Sequence, residues 1–432
     1  MLAASFIIDN LDAVRTNCAN RGVAVDLDRF AALDAERRKL EHALGEANAE
    51  ANRVAKEIPK APDADTKQEL IAKGKALRTE RGKLEERLET VRAEVDEIRS
   101  AIPNMAHPDA PVGETDEENL EVARGATPIR DFGFPPKDHL DLAEALDLVD
   151  MEAGSRTAGH GFYFLKNQAV LLDMALQSYA LRLLIGDGFT PYTTPDLARA
   201  EVLAGTGFVP RGPETQIYTI EDTDLGLIAT SEITLAGLFA DRILDGGDLP
   251  ALVAGMSHCF RTEAGAHGRA TRGLYRVHQF TKVEMFVVCR PEESDGLHQR
   301  LLDLEKAIFD GLGIPYRIVD TATGDLGASA YRKYDLEAWM PGRGDGGSFG
   351  EITSTSNCTD YQARRLGIRY RGPDGKVAGL AHTLNGTAVA TSRALIALLE
   401  NYQRADGGID VPEALRPYCG FESIEPKGEP KG

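Results

Sequence analysis

The sequence predicts an α+β protein in which an N-terminal antiparallel coiled-coil hairpin precedes a domain built on an antiparallel sheet flanked by helices. Three observations lead to this prediction. Apolar residues recur every three or four positions over two long runs, a proline-rich acidic segment follows, and the remainder alternates strand patterns with amphipathic helices. At 432 residues and 42% hydrophobic content, the chain is long enough for two domains with packed interiors.

The first apolar run predicts a long helix over residues 28–58. Its seam positions carry Phe30, Leu33, Leu40, Leu44, Ala47, Ala51, Val54 and Ile58, interrupted by Arg37. Prolines between residues 59 and 65 break the helix, and the seam resumes as Leu70, Leu77, Leu84, Leu88, Val91, Val95, Ile98 and Ile102. At about 1.5 Å per residue the first helix spans roughly 46 Å, so we expect a hairpin over 28–102 that projects into solvent.

This predicted arm is nearly neutral although the whole chain is acidic. Residues 28–102 contain 16 Lys or Arg and 17 Asp or Glu, whereas the chain carries a net charge of -19. An element that contacts phosphates cannot share the charge of the body, which favours a phosphate-contacting role for the arm. Dimerisation or spacing is the alternative use of a coiled coil, and both remain open. Residues 1–27 predict a small helical capping segment.

Composition predicts a cytoplasmic protein with no membrane or DNA partner. No apolar run reaches the roughly 18 to 20 residues needed to cross a bilayer, and Met1–Asn10 lacks a basic flank. The acidity opposes non-specific nucleic-acid binding. The five cysteines are scattered, without any Cys-x-x-Cys spacing, which excludes a disulfide framework or a zinc ribbon: Cys18, Cys259, Cys289, Cys358 and Cys419.

A proline-rich and acidic stretch, residues 103–118, predicts a linker. We therefore place the domain boundary near 105, with domains 1–105 and 106–432. Beyond the linker the patterns predict helices over 139–149, 167–185, 297–312 and 388–403, and strands over 162–165, 189–195, 316–319, 331–339, 349–357 and 377–387.

Two strand patterns, 257–263 and 279–286, carry most of the chemistry. Alternation places Cys259, Arg261 and Glu263 on one side of the first strand, and Phe280, Lys282, Glu284 and Phe286 on one side of the second. The loop 265–273 between them contains three glycines together with Arg269 and Arg272. This pattern predicts a hairpin facing an anion; an edge hairpin with a solvated face is the alternative.

Three further stretches place polar groups next to strands or helix starts. Thr230, Ser231 and Glu232 end an apolar strand just before a helix, where they are either ligands or an N-terminal cap. Glu351, Thr353 and Thr355 alternate with Ser354 and Ser356; carboxylate and hydroxyl oxygens suit hydrated magnesium, and a solvated edge strand is the alternative. Arg393 lies in the opening turns of the last long helix, where it is either an anion ligand or a surface residue.

In this order and at these distances, the motifs resemble those of class II aminoacyl-tRNA synthetases, a family with an antiparallel catalytic sheet. Phe260-Arg-Thr-Glu263 with the basic loop and Phe280 resembles motif 2. The helix 167–185 and the strand closed by Pro195 resemble motif 1, which builds the dimer interface. The strand, glycine turn and Arg393 resemble motif 3. Thr230-x-Glu232 after Leu-Ile-Ala, with the long arm, is similar to the bacterial seryl type within this family.

This resemblance implies a class II catalytic domain that binds ATP and Mg²⁺, forms seryl-adenylate from L-serine, and transfers the seryl group to tRNA(Ser), with tRNA(Sec) by extension. It implies a homodimer, with the N-terminal domain binding tRNA. The sequence has no P-loop and no Rossmann glycine turn, so ATP binds without either.

The family's site residues carry over position by position. Arg261 would grip the α-phosphate, Glu263 would read adenine, Phe280 would stack on the ring and Val277 would line the site. Arg393 would hold the γ-phosphate side, and Glu351 and Ser354 would orient the metal. The resemblance thus implies catalytic residues Arg261, Glu263 and Arg393; ATP-binding residues Arg261, Thr262, Glu263, Val277, Phe280, Glu351, Ile352, Thr353, Ser354 and Arg393; serine-binding residues Thr230, Ser231, Glu232, Glu284 and Thr387; and metal ligands Glu351 and Ser354.

Two alternative functions remain on the sequence. Some relatives make seryl-adenylate for a carrier protein or an antibiotic pathway, and those of the carrier group lack the long arm. A non-catalytic coiled-coil scaffold would have a degraded site. Thr387 departs from many bacterial relatives, which have serine there, and its extra methyl narrows the implied serine pocket.

Overall fold

A computed structural model describes residues 1–208, 216–263 and 273–426. These residues divide into two compact units, Met1–Pro103 and Asn104–Gly432. The boundary expected near 105 lies two residues beyond this division. Each unit has its own secondary structure, as the sequence patterns predict.

The first unit is helical. Its helices are α1 (Ala4–Asp9), α2 (Leu11–Asn20), α3 (Leu27–Glu57) and α4 (Ala64–Ala101). Asp26 and Asp63 stand at the N-caps of α3 and α4, where each carboxylate accepts a backbone N–H bond, from Arg29 at 2.8 Å and from Thr66 at 2.7 Å. A short 3-10 turn, Ile58–Lys60, joins α3 to α4 at the predicted proline break.

The heptad seam is confirmed by burial and by ion pairs. Every seam residue predicted on α3 and α4 is buried or half-buried, and Phe30, Val54, Val91 and Val95 are almost inaccessible to solvent. Ion pairs cross between the helices at both ends of the seam, joining Arg29 to Glu94 near the start of α3 and Glu50 to Lys73 near the turn. Since residues early in α3 meet residues late in α4, the hairpin is antiparallel.

The helices of the second unit flank a sheet. They are α5 (His139–Ala145), α6 (Met151–Ala158), α7 (Gln168–Gly186), α8 (Ala200–Thr206), α9 (Glu232–Leu238), α10 (Ser294–Gly311), α11 (Tyr361–Leu366), α12 (Thr391–Asn401) and α13 (Arg416–Cys419). The predicted helix 139–149 ends earlier than expected, because Asp147 has a positive φ of 57° that stops the helix.

The strands are β1 (Leu120–Arg124), β2 (Val149–Asp150), β3 (Phe164–Leu165), β4 (Thr190–Thr193), β5 (Leu197–Arg199), β6 (Leu225–Leu227), β7 (Ile243–Asp245), β8 (Ala251–Phe260), β9 (Gln279–Cys289), β10 (Tyr316–Asp320), β11 (Arg332–Met340), β12 (Ser348–Thr359), β13 (Arg369–Arg371), β14 (Val377–Leu380), β15 (His382–Ala390), β16 (Ile409–Asp410) and β17 (Ser423–Ile424). Among the described residues, the main sheet has the order β1-β10-β11-β12-β15-β9-β8-β4. Its pairings are antiparallel except that of β4 with β8. The predicted α+β class is confirmed.

Side chains of β9 alternate between two environments, as predicted. Val283, Met285 and Val287 pack into the main core with residues of α7, α10 and α12. On the opposite side, Phe286 joins a second core with residues of α9 and α11, while the earlier residues of that side face a cavity. One face of the sheet is therefore packed against helices. The other face is packed around Phe286 and borders the cavity at the earlier residues of β9.

The predicted strand 377–387 is wrong as a single element. Val377–Leu380 pairs with β13 in a separate small sheet, and His382–Ala390 pairs with β9 and β12 in the main sheet. Gly386, expected in a turn, lies inside β15, where an added Cβ would come within 3.2 Å of Met285, Thr355 and Glu305 side-chain atoms. The glycine therefore serves close packing rather than a turn.

One described helix, α7, comes near the length of a membrane span, although Asp173 and Arg182 interrupt its apolar residues. By length and composition, α7 is apolar enough to cross a bilayer. Six of its residues are buried in the main core: Ala169, Leu172, Ala175, Leu176, Ala180 and Leu184. These core contacts account for the buried side of α7, whereas Val170, Leu171, Met174 and Ile185 on the same helix are exposed.

Candidate active site

A cavity of about 310 Å³ opens on the main sheet beside β9, β12 and β15. It gathers most of the predicted site residues although they are spread over more than 160 positions of the chain. Those that line it are Thr230, Glu232, Arg261, Glu263, Val277, Phe280, Glu284, Glu351, Ile352, Thr353, Ser354, Thr387 and Arg393.

Arg261 and Glu263 reach the cavity from irregular backbone, not from a strand as predicted. β8 ends at Phe260, and the Arg261 N–H donates to the His278 carbonyl at 3.0 Å. Glu263 has a positive φ of 50°, which breaks the alternation on which the prediction relied. Its carboxylate pairs with Arg276 at 3.2 Å. Residues 265–272 of the predicted loop, including Arg269 and Arg272, lie outside the described residues.

A cation and an aromatic ring face each other at this end of the cavity. The Arg261 guanidinium carbon lies 5.3 Å from the centre of the Phe280 ring, a cation–π distance. Val277 and Tyr275 line the same cavity. The arrangement combines a flat apolar surface with positive charge, as an aromatic, phosphorylated ligand requires.

Arg393 is held near Glu351 at a second position of the cavity. Its Nη1 lies 3.3 Å from the Glu351 carboxylate and donates to the Glu351 carbonyl at 3.0 Å. With its side chain 17% exposed, Arg393 is not the surface residue of the alternative interpretation. Burial acts to raise the pKa of Glu351, but Arg393, Lys333 and Arg261 outweigh it and lower that pKa to about 2. Glu351 is therefore ionised at any physiological pH.

A β-bulge corrects the predicted faces of β12. Glu337 pairs with Glu351 and the adjacent Leu336 pairs with Thr353, so Ile352 is an extra residue. Thr353 therefore turns to the core side, where its hydroxyl donates to Glu305 at 3.1 Å, and Ile352 packs into the main core. Strict alternation predicted opposite faces for Glu351 and Ser354, and the bulge lets both line the cavity.

Glu232 lies at the closed end of the cavity and is 6% exposed. Its Oε1 accepts hydrogen bonds from Gln362 Nε2 at 2.6 Å and Asn385 Nδ2 at 2.9 Å. Burial, together with the nearby Glu284 carboxylate, raises the pKa of Glu232 to about 7. No side chain caps α9 at its N-cap residue, Ser231, although the Thr230 hydroxyl accepts the Glu232 N–H bond at 3.2 Å.

Glu284 and Lys282 form a buried ion pair beside Glu232. The Lys282 ammonium lies 2.5 Å from the Glu284 carboxylate, and both side chains are at most 6% exposed. Thr387 completes the group, because its hydroxyl donates to Glu284 at 3.2 Å and accepts from Lys282 at 3.4 Å. This closed end combines two carboxylates, an ammonium and a hydroxyl, so it can recognise a small ligand with several polar groups.

Two predicted residues do not line the cavity. Ser231 is fully buried, and its hydroxyl donates to the Gly255 carbonyl at 3.2 Å. Thr262 donates its N–H to the Gln216 carbonyl at 3.1 Å. Each is adjacent in sequence to residues that line the cavity, and its hydrogen bond holds that segment in place.

The sequence patterns did not assign several of the cavity-lining residues to the site. Lys282 shares a strand face with Phe280 and Glu284, so alternation alone could have assigned it. Lys333 lines the cavity from β11 and pairs with Asp335 at 3.1 Å. Burial opposes the charge of Lys333, but Asp335 and Glu351 raise its pKa. Asn385 carries no sequence signal beyond its place on β15.

Comparison with known proteins gives two family matches. A model described as the tRNA synthetase class II core domain (G, H, P, S and T) matches residues 218–402, and a model described as the seryl-tRNA synthetase N-terminal domain matches residues 1–106. Together they span most of the chain.

Relatives and solved structures match along the full length. The chain is 56% identical over 425 residues to a serine–tRNA ligase of Rhodopirellula baltica, covering 98% of the chain and 100% of the relative. It is also 56% identical over 427 residues to a serine–tRNA ligase of Rubrobacter xylanophilus, covering 99% of each. A crystal structure of seryl-tRNA synthetase from Pyrococcus horikoshii complexed with ATP superposes with a TM-score of 0.90 at 40% identity, covering 99% of the chain and 100% of that structure.

Proposed function

Because the chain belongs to the seryl-tRNA synthetase family, we propose that its cavity binds ATP and L-serine side by side and joins them as seryl-adenylate. The chain is a serine–tRNA ligase by its full-length relatives. The observation that supports separate positions for ATP and serine is that the two ends of the cavity carry different chemical groups. Arg261, Phe280 and Arg393 are half-buried and form the open side, whereas Glu232, Glu284 and Thr387 are buried and form the closed end.

The alternative functions are not favoured. A paralogue serving a carrier protein was expected to lack the long arm, whereas the N-terminal family model matches residues 1–106. A scaffold without activity was expected to have lost its charged groups, whereas Arg261, Glu284 and Arg393 all line one cavity.

At the open side we assign ATP to residues that present positive charge and one aromatic face. Arg261 binds the α-phosphate, where negative charge is redistributed as the new bond forms, and Arg393 binds the γ-phosphate side. Phe280 stacks on adenine and Val277 lines its edge. Glu263 accepts from the adenine amino group, while Arg276 orients the Glu263 carboxylate through their ion pair. Because the side chains of Ile352 and Thr353 contact the core, we assign their nucleotide contacts to backbone atoms.

The residues around Glu351 fit a magnesium ion that arrives with the nucleotide. Within residues 1–208, 216–263 and 273–426, no cluster of three or more His, Cys, Asp or Glu side chains could hold a metal alone. Mg²⁺ commonly keeps several waters and binds one or two carboxylates together with substrate phosphates. Glu351, ionised and on the same face as Ser354, offers that donor set. When bound, the ion neutralises phosphate charge.

At the closed end we assign L-serine to Thr230, Glu232, Glu284 and Thr387. The two carboxylates accept from the serine ammonium and hydroxyl groups. Lys282 holds the Glu284 carboxylate in place through the 2.5 Å ion pair. A substrate without a hydroxyl would leave a buried acceptor unpaired, and a larger one would meet the Thr387 methyl group.

The chemical step then needs little beyond positioning and charge neutralisation. A serine carboxylate oxygen attacks the α-phosphorus, the bond from that phosphorus to the bridging oxygen breaks, and pyrophosphate leaves. Arg261 stabilises the charge on the α-phosphate oxygens throughout. A hydroxyl of the terminal tRNA ribose next attacks the seryl carbonyl carbon, and AMP leaves.

We assign tRNA binding to the N-terminal unit, residues 1–105, through its arm. The match of this unit to the seryl-tRNA synthetase N-terminal model and the near-neutral charge of residues 28–102 support this assignment. tRNA(Ser) is the proposed partner, and tRNA(Sec) follows because the same seryl transfer serves it. Cytoplasmic localisation follows from these partners.

We also propose a homodimer. Exposed apolar side chains lie on α7 and on the strands β3 and β4: Phe164, Val170, Leu171, Met174, Ile185 and Tyr192. Apolar surface of this kind marks an association face. Sedimentation of the purified protein should give twice the mass of the chain, and a monomer at micromolar concentration would contradict the assignment.

Arg261→Ala tests the proposed function. Removing a charge-assisted contact from a reacting phosphate typically raises the barrier by about 3 kcal/mol or more, so serine-dependent ATP–pyrophosphate exchange should fall at least 100-fold. Arg300→Ala is the matched control, since Arg300 pairs with Asp187 outside the cavity. Exchange by Arg261→Ala within tenfold of wild type would contradict the proposal.

A further inference from the structure

A buried histidine–glutamate pair lies outside the cavity and takes no part in the function described above. His139 begins α5, and Glu400 lies near the end of α12. Glu400 is 1% exposed and His139 is 9% exposed. Neither residue lines the cavity, but hydrogen bonds connect both of them to a chain segment that does.

Hydrogen bonds assign a single tautomer to His139. The Leu274 N–H donates to Nε2 at 3.2 Å, so Nε2 carries a lone pair. The proton therefore lies on Nδ1, which donates to Glu400 Oε1 at 3.0 Å. The His139 backbone N–H donates to the same oxygen at 3.0 Å. Through this imidazole, the Glu400 carboxylate fixes the position of the Leu274 backbone.

The second oxygen of Glu400 fixes another segment. Gly342 N–H donates to Glu400 Oε2 at 2.8 Å. Leu274 precedes Tyr275, which lines the cavity, and Gly342 precedes Arg343, which lines an adjoining cavity that shares Tyr275, Glu351 and Arg393 with the first. One carboxylate thus holds the backbone before both side chains.

Tyr275 and Arg393 are common to both cavities, and Arg343 lies close to the Tyr275 ring from the adjoining one. The Tyr275 ring centre lies 4.5 Å from the Arg343 guanidinium carbon and 4.6 Å from that of Arg393. The Tyr275 hydroxyl donates to the Glu351 carbonyl at 3.1 Å. Arg393 and Glu400 are seven residues apart, two turns along one side of α12. Helix α12, the Glu400 carboxylate and the His139 imidazole therefore hold a single cluster of aromatic and cationic groups in position.

Gly273 shows how closely the chain fits against this imidazole. Its φ is +79°, and a Cβ added to it would lie 2.1 Å from His139 Nε2. The backbone passes directly over the ring only because residue 273 is glycine. Such close contact ties the position of Leu274 to that of His139.

We propose that His139 and Glu400 are positioning residues for the nucleotide, holding Tyr275, Arg343 and Arg393 in the arrangement that receives the ATP polyphosphate. The inference rests on the proposed function, since it needs ATP at the open side of the cavity. The pair touches neither substrate. It acts on ATP binding through Leu274 and Gly342, and it leaves the serine end, formed by other strands, unaffected.

Two substitutions of His139 separate the bond to Leu274 from the bond to Glu400. In His139→Gln the longer amide can place its oxygen near the former Nε2 and accept the Leu274 N–H. In His139→Asn the shorter amide can place its nitrogen near the former Nδ1 and donate to Glu400, which leaves the Leu274 N–H without an acceptor. Glu400→Gln keeps an oxygen for His139 but presents an NH₂ group to the Gly342 N–H.

The readout is the KM for ATP and the KM for serine in serine-dependent pyrophosphate exchange, together with the thermal midpoint. We expect His139→Asn and Glu400→Gln to raise the KM for ATP at least tenfold while the KM for serine stays within twofold. His139→Gln should stay within threefold of wild type for both. Tyr402→Phe is the control, because it removes a bond from the end of α12 to the Leu312 carbonyl, 2.7 Å long and without a link to Leu274 or Gly342.

Other outcomes overturn the proposal. If His139→Asn binds ATP normally, or if the KM values for ATP and serine rise together in step with a lower thermal midpoint, the pair has only a structural role. Loss of the folded state in all three variants would also contradict a local positioning role. If the wild-type protein shows no serine-dependent exchange while it still binds ATP, the proposed function fails. Equilibrium ATP binding to His139→Asn and His139→Gln then decides the positioning role by itself.

Discussion

Replacing Glu232 by glutamine should make the protein more stable and less able to use serine. Both known partners of the side chain, Gln362 and Asn385, donate to Oε1, so a glutamine can keep both bonds with its own carbonyl oxygen. The substitution removes only the ionisation. Buried carboxylates that bind ligands are commonly retained for function at the expense of stability.

The magnitude follows from the raised pKa. Burial and Glu284 raise the pKa of Glu232 to about 7 in the folded protein, against about 4.3 in an unfolded chain. The folded state therefore holds this proton more tightly, and wild-type stability falls as pH rises through that interval. At about 1.36 kcal/mol per pKa unit, the advantage of Glu232→Gln should grow from about 1 kcal/mol at pH 5 to about 4 kcal/mol at pH 8.

Urea unfolding at pH 5, 6, 7 and 8, at one protein concentration, measures this difference, and the exchange assay measures the KM for serine. Glu305→Gln is the matched control, since Glu305 is fully buried outside the cavity and burial raises its pKa. It should also gain stability but keep its KM for serine. A Glu232→Gln variant that is less stable than wild type, or whose difference does not change with pH, would refute the reasoning.

Three further predictions follow from the same structure. Lys282→Met leaves Glu284 buried without its partner and should lower the free energy of unfolding by about 3–5 kcal/mol while raising the KM for serine more than that for ATP; unchanged urea midpoints would contradict the pairing. Glu351→Gln should raise the Mg²⁺ concentration that gives half-maximal exchange, and an unchanged Mg²⁺ titration would show that the carboxylate does not assist the ion. Deleting 33–98 through a short glycine linker should leave serine-dependent exchange intact and reduce tRNA charging by orders of magnitude in a salt-dependent way; equal loss of both steps with a changed oligomeric state would instead indicate a dimerisation arm.

The arm was predictable from the sequence because its order is local. A seam of period 3.5 fixes which residues of α3 and α4 are buried, and the prolines after Ile58 fix the turn. The β9 face that carries Phe280, Lys282 and Glu284 was predictable for the same reason, since alternation is a property of neighbouring residues.

What the sequence could not show depends on local irregularity or on distant partners. The bulge at Ile352 and the positive φ of Glu263 each break an alternation on which the predicted faces of the site depended. His139 and Glu400 are separated by 261 positions, and neither lies in a recognisable motif. Only the fold brings them together behind Leu274.

The most direct test of the central claim is ATP–pyrophosphate exchange by the purified protein with each of the twenty amino acids in turn. The account predicts exchange with serine, loss of at least 100-fold with alanine because a buried acceptor stays unpaired, and rejection of threonine by the size of the pocket around Thr387. Exchange with another amino acid in preference to serine, or equal exchange with serine and alanine, would contradict it.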